Sequence, residues 1–312
     1  MRLRGTPGVR APREDGAVEA AIEMRPMTTV AELSPGRPFR GRFACVRKDR
    51  MTSRNGSTYL ALELRDPTGT LSARVFRDVD RVGARFERGD AVEVQGRAER
   101  YRGQLTAEIS DIRRLEPGEA EPAAFLPAAY RDREELEGFL EHLCREVHDP
   151  GLASVVRAVL FTEPVAAEFR RAPATRNGHH SYLGGLLEHT VAVATLVPEL
   201  CTLHPRLDSD LLMAAALLHD VGKTREFTYG AEIGISEEGR MLGHLQIGAG
   251  IITGAAGGLP EARRTQLLSC VLAHHGTDAL RTRFFPSPEA LALYRLNALD
   301  AGVKGALEHG LG

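Results

Sequence analysis

Five histidines and two aspartates interrupt apolar, helix-like stretches in the C-terminal half of this chain. A buried imidazole or carboxylate without a partner costs on the order of several kcal/mol of folding free energy, so these residues need a compensating interaction. Successive groups are 24 to 30 residues apart, which suits side chains donated to one core by different helices of a bundle. The sequence therefore predicts a metal core. The seven predicted ligands are His189, His219, Asp220, His244, His274, His275 and Asp300.

A single histidine on an apolar helix face is more often a hydrogen-bonded core residue than a metal ligand, and this alternative applies to each position taken alone. The distribution of histidine argues against it for the whole set. All eleven histidines lie at or after His142, in the half of the 312-residue chain that has the helical pattern. We therefore interpret the seven positions as one group with a shared role.

The composition is that of an ordinary globular protein, with 43% hydrophobic and 26% charged residues, and the length favours two domains. The sequence has no run of about eighteen uncharged apolar residues, and its N-terminus lacks the apolar core of a signal peptide. We expect a cytoplasmic protein that does not enter a membrane. The four cysteines are widely spaced without a CxxC pair, which argues against a disulfide framework and against a thiolate zinc site.

Short alternating strands separated by turn residues extend over about Pro38–Leu115. Apolar residues occupy every second position on both sides of the turn Asp66–Gly69, as in strands with one buried face. The pair Asn55-Gly56 favours a tight hairpin, and a short helical connection is predicted over Val79–Phe86. With two further strands after that connection, the order predicts a five-stranded oligonucleotide-binding (OB) barrel.

Tyr59, Arg74 and Phe76 are predicted to share the outer face of the second and third strands. Two aromatic rings beside an arginine form a surface on which single-stranded nucleic acid stacks, at roughly 1–3 kcal/mol per base. Residues 30–117 also carry a net charge of +5, against −7 for the rest of the chain, which favours polyanion binding or is simply a solvated surface. In the alternative interpretation, Phe76 closes one end of the barrel and Tyr59 packs on the neighbouring domain.

The predicted fold is multi-domain. Residues 1–29 have no apolar periodicity and are predicted to be disordered, with Met24 and Met27 as alternative starts. The OB β-barrel occupies residues 30–117, and a linker over 118–130 joins it to an all-α region over 131–312. Helical periodicity in that region begins after Asp132.

Several segments of the helical region resemble the HD-domain superfamily of metal-dependent phosphohydrolases. His-Asp at 219–220 followed by Gly-Lys, Gly-His at 243–244, His-His-Gly at 274–276 and Leu-Asp-Ala at 299–301 occur in the family's order. Behind an OB barrel, this pattern resembles the YhaM-type 3′-to-5′ exoribonucleases over about 30–305. The resemblance implies an HD-domain helical bundle, a requirement for a divalent metal that is usually met by Mn²⁺, and RNA as the substrate.

The resemblance also implies how two ions are held. His189, His219, Asp220 and Asp300 would surround one ion, and Asp220 would bridge to a second ion held by His244, His274 and His275. Imidazole and carboxylate ligands suit Mn²⁺, Fe²⁺, Zn²⁺ or Co²⁺ better than an all-oxygen Mg²⁺ cage, although Mg²⁺ stays open. Two such ions clamp the oxygens of an in-line phosphoryl displacement, so no protein nucleophile is needed.

Lys223 is predicted to lie one helical turn after the His-Asp pair and to reach a phosphate oxygen, if the helix continues past Gly222. Pairing with a nearby acid is the alternative. His179 and His180 precede the first ligand helix and are candidates for contacts with the phosphate or ribose, with a loop or capping role equally open.

Two departures from the family pattern are evident. Asn297 stands where the family commonly has an additional aspartate, so it brings no charge there. The loop 277–285 contains less glycine and more phenylalanine than the family pattern, which puts its substrate contacts in doubt.

Three functions compete. The favoured one is a 3′-to-5′ exoribonuclease that degrades single-stranded RNA, with DNA as a further substrate to be tested, to mononucleotides. The alternatives are a small-nucleotide phosphohydrolase or phosphodiesterase with a regulatory barrel, and a non-catalytic nucleic-acid-binding protein. A homo-oligomer is compatible with the sequence but does not follow from it.

Overall fold

The computed structural model of the protein describes residues 27–53, 55–116, 118–280 and 283–310. The described residues up to Phe125, together with Gly230–Glu232, form one compact unit, and those of Leu126–Tyr229 and from Ile233 onward form the other. The division falls inside the segment 118–130 that we predicted as a linker. Residues 1–26 of the predicted disordered segment lie outside the described residues.

The first unit is a closed five-stranded barrel, which confirms the predicted OB fold. Its strand order is β1-β2-β3-β5-β4, and its neighbouring strands are antiparallel except for the parallel pair of β3 and β5. A short helix, α1, connects β3 to β4 at the predicted place. The bounds are β1 Pro38–Thr52, β2 Thr58–Asp66, β3 Gly69–Val75, α1 Val79–Gly83, β4 Ala91–Tyr101 and β5 Gln104–Arg114.

Alternation along β2 and β3 explains the two faces of the barrel. Leu60 pairs with Val75 and Leu64 pairs with Leu71, and all four side chains are buried in the barrel core. Burying one such side chain contributes about 1.5–3 kcal/mol. The turn between these strands is set by Asp66, whose buried carboxylate accepts hydrogen bonds from two backbone N–H groups of the turn. The outward positions of the same strands are left for polar or aromatic residues.

The second unit is helical, with one small two-stranded hairpin, β6-β7. Its elements begin and end at the following residues: α2 Arg133–Arg145, α3 Pro150–Leu160, α4 Val165–Arg171, α5 Gly185–Thr195, α6 Val197–Leu203, α7 Ser209–Leu218, α8 Lys223–Glu226, β6 Phe227–Tyr229, β7 Ile233–Ile235, α9 Glu237–Ala255, α10 Glu261–Ala273 and α11 Pro288–His309.

Local capping signals explain where several of these helices begin. In each case a side-chain oxygen accepts a hydrogen bond from a backbone N–H group of the first turn, which would otherwise have no partner. The residue that caps α2 is the one from which we predicted the helical pattern. The capping residues are Asp132, Asp149, Asp208, Ser236 and Ser287.

Helix α7 is the centre of the helical unit. All residues from Leu211 to Leu218 are buried, and the helix packs against α3, α5, α10 and α11. A helix that is apolar on every side is stable in water only when it is surrounded in this way. The chain leaving its C-terminal end therefore starts inside the unit, and His219 and Asp220 are the first residues there.

One stretch, Gly185–Leu203, has a length and a mean hydropathy of 1.3 that would also suit a membrane span, and half of it is buried within the unit. The stretch is divided between α5 and α6, and it contains the buried residues Glu188 and His189. Core helices satisfy the same length and hydropathy criteria, so this stretch is weak evidence for a membrane span.

Candidate functional site

Five helices deliver the seven predicted ligands, as the spacing predicted. Two of the groups directly follow the ends of α7 and α10, and the others lie within α5, α9 and α11. The positions are His189 in α5, His219 and Asp220 after α7, His244 in α9, His274 and His275 after α10, and Asp300 in α11.

Asp220 lies in two overlapping groups of metal-ligand atoms. In the first group, His189 Nε2 and His219 Nε2 are 3.2 Å apart and lie 3.4 and 3.3 Å from Asp220 Oδ2. All three side chains are completely buried or nearly so. Three donor atoms about 2.1 Å from one tetrahedral ion lie about 3.4 Å apart, so these separations fit a shared ion.

The second group uses the other carboxylate oxygen of Asp220. His274 Nε2 lies 3.3 Å and His244 Nε2 lies 3.7 Å from Asp220 Oδ1, and His244 Nε2 is 2.8 Å from His275 Nε2. This group is less enclosed, because His244 is partly exposed and His275 is exposed. The two oxygens of Asp220 thus face different sets of imidazoles.

Hydrogen bonds to Nδ1 orient the imidazoles so that Nε2 faces Asp220. Nδ1 of His219 donates to the Ala216 carbonyl at 2.8 Å, and Nδ1 of His274 donates to the Val271 carbonyl at 2.6 Å. These contacts fix the proton on Nδ1, which leaves the lone pair of Nε2 available as a ligand. The sequence alone did not show these carbonyl partners.

Burial favours the neutral form of two of the buried imidazoles, those of His189 and His274. Burial lowers the pKa of His189 and of His274 to about 4 in each case, against the partly opposing effect of their carboxylate partners. Burial acts to raise the pKa of Asp220, but the neighbouring Lys223 ammonium and His219 hold it well below its usual range. The site therefore combines two imidazoles whose neutral form is favoured, those of His189 and His274, with a carboxylate whose ionised form is favoured, that of Asp220.

This combination fits a cation. Asp220 Oδ1 and His274 Nε2 are fully buried and face each other at 3.3 Å, yet neither has a hydrogen-bond partner among the described residues. Two hydrogen-bond acceptors at that distance repel each other, and leaving them unsatisfied in the interior is costly. A divalent ion between such atoms would satisfy both of them.

Lys223 does not occupy the predicted position, because the helix does not continue through Gly222. Helix α7 ends at Leu218, four residues of turn follow, and α8 begins at Lys223 itself. The Lys223 ammonium donates to Asp220 Oδ2 at 2.6 Å, and the residue is only 5% exposed. The structure therefore favours the alternative of acid pairing, with Lys223 balancing the charge of Asp220, over the predicted contact with phosphate.

Asp300 also departs from its predicted place. Asp300 Oδ2 accepts hydrogen bonds from His189 Nδ1 at 2.6 Å and from His180 Nε2 at 3.0 Å, and it groups with these two residues rather than with Asp220. Burial acts to raise the pKa of Asp300, but the bonds from His180 and His189 lower it. In this structure Asp300 orients His189 through the far side of the ring.

His180 belongs to that supporting network, so the prediction that it contacts nucleic acid does not fit the geometry. The residue is 1% exposed, and both ring nitrogens are hydrogen-bonded within the protein, Nε2 to Asp300 and Nδ1 to the Tyr182 hydroxyl. The hydroxyl of Tyr182 in turn donates to Glu188, which also accepts from Lys304. Tyr182 and Lys304 were missed because nothing in their local sequence marks them.

The other predicted contact, His179, lies beside the first group. Its ring centroid is 5.3 Å from that of His189, and the side chain is partly exposed, so it is open to a ligand on one side. Burial lowers the pKa of His179. His179 therefore remains a candidate for substrate contact.

Asn297 has a role that an aspartate could not fill. Its side-chain amide is buried and donates to the His274 carbonyl at 3.3 Å, and a carboxylate has no proton to donate. Asn297 thus supports the backbone that presents His274 and His275. Of the unusual loop 277–285, residues 281 and 282 lie outside the described residues, and Phe285 packs its ring on Tyr294 with centroids 5.3 Å apart.

The barrel brings together the three residues predicted as a stacking surface. The rings of Tyr59 and Phe76 have centroids 5.6 Å apart, and Phe76 is 48% exposed. Arg74 lies on the same face, with its guanidinium 4.7 Å from the ring centroid of Tyr101. Tyr101, which is 47% exposed, and its neighbour Arg102 were missed. The sequence Tyr101-Arg102-Gly103 could have indicated them, because a turn at this place puts both side chains at the tip of the hairpin formed by β4 and β5.

Two domain families match the two units. Residues 42–115 match the OB-fold nucleic acid binding domain, and residues 186–301 match the HD domain. The second match spans all seven predicted ligands, and the first spans the aromatic and arginine residues of the barrel face.

Known relatives match most of the chain. The chain is 30% identical over 279 residues to the 3′-5′ exoribonuclease YhaM of Oceanobacillus iheyensis, covering 87% of this chain and 86% of the relative. The identity to the YhaM protein of Geobacillus sp. (strain WCH70) is also 30%, over 79% of this chain and 77% of the relative. The chain belongs to the YhaM family. The YhaM protein of Bacillus subtilis is 28% identical over 79% of each chain.

Membership of the YhaM family accounts for the order of the motifs along the chain. The HD match contains His219 and Asp220, and both groups of ligand atoms meet at Asp220. The departure from the family pattern at Asn297 and the placement of Asp300 beside His180 and His189 leave the two groups around Asp220 in place.

Proposed function

We propose that this protein is a metal-dependent 3′-to-5′ exoribonuclease that degrades single-stranded RNA to mononucleotides. The observation that carries the proposal is the convergence of Asp220 and four imidazole-bearing segments in a chain of the YhaM family. A protein that only bound nucleic acid would have no use for a buried, unsatisfied group of this kind, since it costs folding free energy.

We further propose that two divalent ions occupy this centre. His189, His219 and Asp220 would hold one ion, and Asp220, His244, His274 and His275 would hold the other. A donor set of mostly nitrogen with one carboxylate favours Mn²⁺, Fe²⁺, Co²⁺ or Zn²⁺ over Mg²⁺. Among these we expect Mn²⁺, because the resemblance to the HD superfamily implies it. When bound, such ions supply Lewis acidity toward the phosphodiester and activate the attacking water.

The protein's own residues prepare the centre for that chemistry. Carbonyl and carboxylate partners hold the ligand rings with Nε2 facing inward, so little reorganisation is needed when an ion binds. Lys223 keeps Asp220 ionised and in place. Asp300 holds His189 from behind.

The barrel face of Tyr59, Phe76, Arg74, Tyr101 and Arg102 is our proposed surface for single-stranded nucleic acid. Exposed aromatic rings stack on bases whatever their sequence, and arginine adds contacts to phosphates and rings. RNA preference requires a group that recognises the 2′-hydroxyl, because that is what distinguishes the two sugars. With His180 buried, His179 and the exposed Asn177 remain the candidates for that contact.

The proposal is tested by incubating the purified protein with a 5′-labelled single-stranded RNA, its DNA analogue, a circular RNA and free mononucleotides, each with Mn²⁺ or with EDTA. We expect a ladder that shortens from the 3′ end of the linear RNA, with mononucleotides as the product, and no reaction in EDTA. Asp220→Asn should be inactive at every metal concentration. Cleavage of the circle would overturn the exonuclease assignment, and turnover of mononucleotides without turnover of RNA would favour the small-nucleotide phosphohydrolase.

A further inference from the structure

His244 is presented differently from the other histidines of the centre. His219 and His274 follow regular helices, and each is held by a carbonyl of its own helix three residues earlier. His244 lies within α9 but directly after a break in that helix, because Gly243 has φ 70° and ψ 160°. A left-handed φ of this kind favours glycine and interrupts the helix. The α9 helix alone therefore does not fix the position of His244.

Glu226 supplies the missing constraint. One carboxylate oxygen of Glu226, Oε1, accepts a hydrogen bond from the backbone N–H of His244 at 3.1 Å and another from His244 Nδ1 at 3.2 Å. The first bond satisfies an N–H group freed by the helix break, and the second places the ring proton on Nδ1. Together they direct Nε2 of His244 toward Asp220.

The segment from Asp220 to Glu226 therefore positions two ligands of the second group. A β-carbon on Gly222 would lie 2.0 Å from the His244 carbonyl oxygen and 2.6 Å from the backbone nitrogen of Gly248, so α9 rests directly on this turn. Real β-carbons do not approach that closely. One short piece of chain thus carries Asp220, the surface that contacts α9, and Glu226, whose two hydrogen bonds with His244 we call the clamp.

The first group does not depend on this clamp. His189 and His219 are completely buried and are held by Asp300 and the Ala216 carbonyl, whereas His244 is partly exposed and is held by Glu226. We propose that Glu226 is a positioning residue. It sets the affinity for the second ion, the one that His244, His274 and His275 would hold, and it has almost no effect on the affinity for the first ion. The inference rests on the two-ion centre proposed above.

The test measures Mn²⁺ binding to the full-length protein by isothermal titration calorimetry, with bound metal counted by elemental analysis after desalting. Glu226→Ala should weaken one of two binding events by about 10- to 100-fold, as removal of groups that orient metal ligands does, and leave the other unchanged. Glu226→Gln keeps an oxygen acceptor in the same place, so it should recover most of the lost affinity.

The matched control is Glu238→Gln, which breaks the ion pair of Glu238 with Arg225 at the same junction of α8 and α9 without touching His244. It should bind two ions like the wild type. If Glu226→Ala weakens both Mn²⁺ binding events equally, or changes neither, the proposed role of Glu226 is overturned, while the two-ion centre is not. A wild-type protein that binds fewer than two Mn²⁺ ions would overturn the two-ion centre as well, so the two failures are distinguishable.

Discussion

The variant Asp220→Ala tests whether the buried ion pair between Asp220 and Lys223 stabilises the fold. Asp220 and Lys223 are 1% and 5% exposed, and their charged atoms lie 2.6 Å apart. Removing the carboxylate leaves a buried ammonium without its partner, and breaking one side of such a pair costs about 3–5 kcal/mol of unfolding free energy. Replacing both residues, as Asp220→Ala with Lys223→Met, removes both charges. We therefore expect the double variant to be more stable than Asp220→Ala alone.

The measurement is urea unfolding of Asp220→Ala, Lys223→Met and the double variant in EDTA, followed by circular dichroism at a wavelength that reports on the helical unit. The coupling between the two sites should be about 2–3 kcal/mol, at the upper end for residues in contact. Mn²⁺ binding should be absent from both Asp220 variants, which separates the stability of the fold from occupation of the site. Additive effects within about 0.5 kcal/mol would refute the buried ion pair as a source of stability.

Three further predictions concern the stability of the protein at low pH, the hydrogen bond from Asn297 to His274, and the barrel face. Because burial lowers the pKa of His274 to about 4, from about 6.5 when unfolded, the unfolded state binds the proton first as the pH falls. Between pH 7 and pH 5, protonation of His274 in the unfolded state should lower the free energy of unfolding of the EDTA-treated protein by about 2 kcal/mol, as measured by urea unfolding. The variant His274→Gln should show a correspondingly smaller decrease. Asn297→Asp should lower stability by about 1–3 kcal/mol in the same assay, because a donor is replaced by a buried charge; unchanged stability would contradict the hydrogen bond to His274. Tyr59→Ala combined with Phe76→Ala should weaken single-stranded RNA binding by about 1–3 kcal/mol per lost stacking contact in fluorescence anisotropy, whereas Tyr130→Ala, at a ring that is 97% exposed, should not.

The barrel and the positions of the candidate metal ligands along the chain followed from the sequence for local reasons. Side chains alternate in a strand whatever the strand packs against, so the leucines of β2 and β3 defined a buried face before the partner strands were known. The cost of burying unpartnered imidazoles indicated which helices carry the candidate ligands in the same way. The family resemblance then supplied the activity, which neither argument could reach.

Only the tertiary structure decided which atom of each side chain faces which partner. That choice depends on how each helix is rotated and where each turn ends, and both are set by contacts between residues far apart in sequence. Asp300 was expected beside Asp220 but accepts from His180 and His189, which lie more than one hundred residues earlier. Lys223 was expected on a continuing helix and instead follows a turn that brings it to Asp220.

The residues that sequence reasoning missed have the same explanation. Glu226 and Tyr182 carry no motif, and their roles arise because folding brings them to His244 and His180. Local periodicity records which face of an element is buried. It holds no information about the hydrogen bond that a buried polar group finds on another element, and in this centre those bonds decide which nitrogen of each imidazole is free to bind an ion.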